Sequence, residues 1–144
     1  MTPGTFLSDP YFRFKNGNVG EKHFVILNYG VAGYYIAAKI TSQGEHFGRR
    51  FGCQAGDRFP SFYLPRICCP FLNKETWIQM DDFYQFGVEQ LERNILDGKI
   101  YRIGVLDVKF TVRLMSCVAS ADDITQAQES EILEARKKLE AGAS

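Results

Sequence analysis

The sequence predicts an α+β domain in which a small, curled antiparallel sheet is flanked by C-terminal helices. Three observations carry that expectation. Runs of β-branched and aromatic residues crowd the first half of the chain, helical spacing begins only beyond Asp82, and 144 residues suffice for one core. A chain of this length buries roughly 70% of its surface on folding. With 45% hydrophobic and 14% aromatic residues it lacks the composition of a disordered segment. Residues 1–144 are therefore read as a single domain, with a β core over 1–106 and a helical segment over 107–144.

Taken in order, Met1–Pro10 reads as loop, because Pro3, Gly4 and Pro10 break regular pairing. Tyr11–Phe14 then leads into Asn16-Gly17-Asn18, a turn signal, since Asn and Gly tolerate positive φ. His23–Asn28 and Tyr34–Thr41 form a β-hairpin through the connection Tyr29–Gly33. Ser42–Pro60 is a long connection punctuated by Gly44, Gly48, Gly52, Gly56 and Pro60. Ser61–Leu64 and Thr76–Met80 are short strands, separated by Pro65, Pro70 and an Asn73-Lys74 turn.

Beyond Asp82 the period changes. Val88, Leu91 and Ile95 recur at helical spacing and Gly98 follows as a C-cap, so Gly87–Asp97 is a helix. Tyr101–Leu106 is apolar again. Asp107–Val118 fits both periods: Val108, Phe110, Val112 and Leu114 alternate as in a strand, while Val108, Val112, Met115 and Ala119 share a helix face. Ser120-Ala121-Asp122-Asp123 resembles a capping box opening a polar helix to Leu139. Its sparse stripe of Ile132, Ala135 and Leu139 suits a peripheral helix or one docked on a partner.

The longest apolar runs, such as Phe24–Leu27 and Tyr34–Ala38, fall far short of the roughly 20 residues of a membrane span. The chain opens on no secretory pattern, so a soluble cytoplasmic protein is expected. Formal charge is 17 Lys/Arg against 17 Asp/Glu. Residues 1–80 nevertheless carry nine basic and five acidic side chains (9 − 5 = +4), and residues 81–144 carry eight and twelve (8 − 12 = −4). A basic face built by the first half would suit a polyanion.

Four cysteines, Cys53, Cys68, Cys69 and Cys117, include no CxxC pair, and buried free thiols are favoured over disulfides. Zinc held by His46, Cys53, Cys68 and Cys69 would need a spacing found in no common knuckle. Sequence nearness of His46 and Cys53 is weak support for a nucleophile pair. The phosphate-loop, dinucleotide, zinc-protease and serine-elbow motifs are all missing, so no cofactor is expected. Asp81-Asp82 is read as a helix cap rather than a metal site.

Basic and aromatic residues interleave between His46 and Tyr63: Arg49, Arg50 and Arg58 stand among Phe47, Phe51, Phe59 and Phe62. Arginine grips phosphate and aromatic rings stack on unpaired bases, so Arg49, Arg50, Arg58, Phe47 and Phe51 are candidate RNA-binding residues. Composition alone favours the competing view, in which the rings form a mini-core beneath solvated arginines.

Several stretches resemble the PemK/MazF-like growth-inhibitor toxins. Lys22-His23-Phe24-Val25-Ile26-Leu27-Asn28 is similar to that family's first long strand, and Tyr34–Ser42, ending Ile40-Thr41-Ser42, to its second. Phe71 followed by Thr76–Asp81 is similar to a later strand, and Leu91–Leu106, with Gly104-Val105-Leu106, to the region before the last helices. The resemblance covers Gly4 to Leu106. It implies a small SH3-like barrel, usually homodimeric, that cleaves single-stranded RNA without a metal and is blocked by a cognate antitoxin. By the same resemblance, Lys22 and Thr41 or Ser42 are catalytic, with His23 as a nearby acid–base group and Arg49 or Arg50 on phosphate. This chain has Lys22 where the family usually has arginine, and the Ser42–Pro60 insertion is long. A non-catalytic binding module of the same barrel type, using Gln43–Arg58 and the last helix, is the alternative expectation. An accessory protein of a mobile element is a third.

Overall fold

The computed structural model describes residues 1–143. Its elements are β1 (Thr5–Arg13), β2 (Val19–Ile26), β3 (Tyr34–Thr41), β4 (Gly52–Gln54), β5 (Ser61–Leu64), β6 (Thr76–Gln79), β7 (Tyr84–Gly87), α1 (Val88–Leu96), β8 (Tyr101–Val105), α2 (Val108–Ala119) and α3 (Gln126–Ala143). All eight strands join one antiparallel sheet in the order β4-β5-β6-β3-β2-β1-β8, with β7 also pairing to β3. Strand β3 is the pivot. Its far end, Ile40 and Thr41, pairs with β6, and its near end, Tyr34–Ala37, pairs with β7.

The expected α+β class, with an antiparallel sheet and C-terminal helices, is what forms. The sheet stays open, however, rather than closing into the SH3-like barrel that the resemblance implies. Its two outer strands, β4 and β8, are only three and five residues long and do not meet. β4 is covalently tied to α2 instead.

Side chains that alternate along the central strands enter two different cores. Phe6, Val25, Leu27, Ile36, Ala38 and Ile40 face α2 and α3. Leu7, Phe24, Ile26, Tyr35 and Ala37 face the opposite way, toward Leu91 of α1. Helices on both faces explain why these strands read as unbroken apolar runs and not as a polar–apolar alternation. The helices also give α3 its place. Ile132, Ala135 and Leu139 are buried in the main core beside Leu114 and Met115, so its apolar stripe is satisfied within the chain.

The two hairpin turns follow their local chemistry. Gly17 takes φ +88 between β1 and β2, and the Asn18 N–H donates to Asn16 Oδ1 at 3.0 Å. Between β2 and β3, fully buried Asn28 stands in for a ladder residue. Its Oδ1 accepts from the Ile36 N–H at 2.9 Å, and its Nδ2 donates to the Tyr34 carbonyl at 3.1 Å.

Several boundaries differ from expectation. Thr5–Pro10 is strand, not loop, because Pro10 falls where the β1–β2 register slips between Asp9 and Phe12 and no ladder N–H is required. Asp81 and Asp82 cap no helix. They turn the chain into β7, Asp82 at φ 54 with its carboxylate accepting from Lys15 Nζ at 2.7 Å. Asp107–Val118 resolves as helix, its N-cap Asp107 accepting from the Lys109 N–H. The box at the start of α3 is Thr125–Gln128 and not Ser120–Asp123. The Gln128 N–H donates to Thr125 Oγ1 at 3.1 Å, and the Thr125 N–H to Gln128 Oε1 at 3.0 Å.

The cysteines also depart from expectation. Cys53 of β4 is disulfide-bonded to Cys117 of α2, with Cα atoms 5.5 Å apart, while Cys68 and Cys69 are free. The bond spans 64 residues, and only the packing of β4 on α2 brings its ends together. It removes Cys53 from both the zinc set and the His46 pair. Among the described residues, no helix is long and apolar enough to cross a membrane.

Candidate functional site

Antiparallel pairing places the middle of β2 beside the end of β3, since His23 lies opposite Ile40. The next strand over is β6, with Trp77 opposite Thr41. Residues near positions 22, 42 and 75 thus converge at one rim of the sheet. There they line an open cleft of about 350 Å³ whose walls include Lys22, His23, Thr41, Ser42 and Lys74. All four residues expected to be catalytic thus border this cleft.

Each side chain has a defined setting. Lys22 is partly buried, and that burial, reinforced by the nearby Lys39 cation, holds its amine below the ordinary lysine value, with Asp81 pulling the other way. Lys39 itself reaches Asp81 at 3.9 Å. His23 Nε2 lies 3.2 Å from Glu21 Oε1, which orients the ring at the cleft wall. Thr41 Oγ1 accepts from the Gln43 N–H at 3.1 Å, so its hydroxyl hydrogen is left to donate elsewhere. His23 is in phase with Val25, whereas Lys22 is in phase with Phe24 and stands beside Lys39 and Asp81, so the cation and the imidazole leave opposite faces of β2 at this rim.

The residues expected to bind RNA do not gather there. Arg50 Nη2 is 2.7 Å from Asp57 Oδ1. Arg49 Nε is 3.6 Å from Glu75, and its guanidinium lies over the Trp77 ring, 5.3 Å from the centroid. Arg58 lies over Phe59. Phe47 meets Phe59, and with Arg58 it lines a separate cavity beside Asp81 and Asp123. Phe51 turns away to α2, where it packs on Phe110 under the Arg113 guanidinium.

Buried Gln54 fastens the connection between β3 and β5. Its Nε2 donates to the Gly48 carbonyl and to Ser61 Oγ, and its Oε1 accepts from the Arg50 N–H. The Trp77 Nε1–H donates to the same Gly48 carbonyl at 2.9 Å. The interleaved segment is thus a packed structural loop, on which Arg49 and Arg50 each hold an exposed ion pair and Arg58 lies over Phe59.

Sequence reasoning missed two cations at the rim. Lys74 lines the cleft, and Arg66 lies beyond it in a short 3-10 helix, Arg66–Cys68. The Asn73-Lys74 pair had been legible only as a turn. Among the described residues, no group of three or more His, Cys, Asp or Glu side chains is arranged to hold a metal ion. No protein-family model matches this chain, and no curated protein matches it either.

Proposed function

We propose that the protein is a toxin-type endoribonuclease of the PemK/MazF kind, acting on single-stranded RNA at the Lys22 cleft without a metal. It would serve in a toxin–antitoxin or phage-defence module. One observation supports this reading above others: Lys22, His23, Thr41 and Ser42, chosen by resemblance, line a single open cleft.

The chemistry needs little else. His23 takes the proton from a ribose 2′-hydroxyl as that oxygen attacks the adjacent phosphorus. The bond from phosphorus to the 5′-oxygen breaks, and the leaving oxygen takes up a proton. The products are a 2′,3′-cyclic phosphate and a 5′-hydroxyl end. Lys22 and the hydroxyls of Thr41 and Ser42 stabilise the charge that gathers on the phosphoryl oxygens. A homodimer and a protein antitoxin covering the cleft belong to the same reading.

A second reading, a binding module without cleavage, is favoured by the internal pairing of Arg49 and Arg50, which leaves fewer free cations for a polyanion. Incubation with single-stranded RNA in EDTA separates the two. Cyclic-phosphate ends that disappear with Lys22→Ala support the nuclease. RNA that is bound and left intact supports the module.

A further inference from the structure

A cavity of about 250 Å³ opens on the sheet face that α1 covers, and it shares no lining residue with the Lys22 cleft. We propose that this cavity binds a small aromatic amine: a bicyclic ring with a protonated amino group on a short arm, held by the carboxylate of Asp9. The site is independent of the RNA reading and stands or falls apart from it.

The lining calls for a ring. Leu7, Phe24 and Leu91, buried in the core beneath α1, make the floor. Half-buried Phe12 and Phe86 complete the apolar wall, their ring centroids 5.2 and 5.4 Å from that of Phe24 at interplanar angles of 63° and 82°. A flat guest can therefore meet one ring by its face and another by its edge, the arrangements that aromatic pairs favour. Size narrows the choice. An apolar cavity of about 150 Å³ takes one benzene ring, so this one suits two fused rings with a short arm.

The mouth calls for a cation. Asp9 follows Leu7 at strand period, so its carboxylate leaves the same face of β1. Its Oδ1 accepts from the Tyr11 N–H at 3.1 Å, while Oδ2 has no partner among the described residues. Lys22 stands opposite Asp9 in the β1–β2 ladder but makes no ion pair with it. On α1, Gln90 Nε2 donates to Asn94 Oδ1 at 3.0 Å, which leaves Gln90 Oε1 as a second acceptor at the rim. A free carboxylate oxygen beside an aromatic cavity selects a positive head on an apolar body. The ammonium meets Asp9 through a charge-assisted hydrogen bond, and the rings hold the rest.

Calorimetric titration of the whole protein with tryptamine and with uncharged 3-methylindole tests the proposal. Wild type should bind tryptamine about tenfold more tightly or better, the worth of one hydrogen bond to a charged group. Asp9→Asn keeps the side chain's shape and should erase that preference while leaving 3-methylindole binding and the thermal midpoint in place. In methyl NMR spectra, tryptamine should shift the signals of Leu91 and Ile100, which line the cavity. No saturable binding of tryptamine at millimolar concentration overturns the proposal. So does a preference that survives Asp9→Asn, or binding that leaves the Leu91 and Ile100 methyl signals unmoved.

Discussion

Gly44 lies flat against Trp77, so closely that a β-carbon at position 44 would overlap the indole ring. This contact, with the Trp77 Nε1–H bond to Gly48, seats the long connection after β3 on the sheet. Gly44→Ala should therefore push the connection off the ring and cost about 1–3 kcal/mol, as overpacking does. Trp77 is the sole tryptophan, so its fluorescence reports the change directly. A red shift together with a lower denaturation midpoint is expected. An unshifted spectrum would show that the segment adjusts without leaving the ring.

The Cys53–Cys117 bond closes a loop of 64 residues. Chain-entropy reasoning assigns such a link about 4 kcal/mol, and measured effects of disulfide removal usually lie at about 2–5 kcal/mol. Chemical denaturation with and without a thiol reductant should show that loss. Cys53→Ser should match the reduced protein and be indifferent to reductant, whereas Cys68→Ser should behave as wild type.

Tyr35 donates its phenolic hydrogen to Glu92 at 2.8 Å. Burial, followed by this carboxylate, pushes the phenol up from 10.0 to about 12, with Arg102 opposing slightly. A phenol whose folded value is raised contributes stability that is complete below its unfolded value and disappears as pH rises through the folded one. Stability should thus be indifferent to this group below about pH 10 and fall between about 10 and 12, where the unfolded phenol ionises and the folded one does not. Tyr35→Phe should lose about 1 kcal/mol near neutrality and lack that component of the alkaline slope.

Lys22 acts in the proposed reaction as a cation, so its titration should limit activity. Burial and Lys39 depress its amine below the ordinary 10.5, so cleavage should fall on the alkaline side before that pH is reached. Lys39→Met removes the repelling charge and should move the fall to higher pH. Lys22→Arg cannot deprotonate in this range and should abolish the alkaline fall wherever it remains active. A profile identical in all three proteins would remove Lys22 from the reaction.

The central strands were legible in sequence because every residue of Phe24–Leu27 and of Tyr35–Ala38 enters one core or the other. That residues 22, 23, 41 and 42 border one cleft was equally legible, since an antiparallel hairpin sets His23 opposite Ile40. Other features depended on tertiary context. β1 was hidden by Pro10, whose bulge has no sequence signature of its own. Periodicity left 108–118 undecided because Thr111, Leu114, Met115 and Val118 are buried while Val108 is 40% exposed, so the apolar face expected of the helix is not the one it buries. Arg66 and Lys74 reach the rim from a turn-rich segment with no periodicity, and the pairing of Arg49 with Glu75 and of Arg50 with Asp57 depends on tertiary placement that spacing does not show.

Covering both faces of the sheet also governs which changes the protein can absorb over time. An ordinary half-solvated strand tolerates replacement at every second position. Here a scan of all single substitutions, read as the amount of folded protein, should find unbroken intolerance along 24–27 and 35–38, with freedom at exposed rim residues such as 66 and 74. What this scaffold recognises can therefore be rewritten at its edge without disturbing its interior, while its interior is closed to almost any single-step revision.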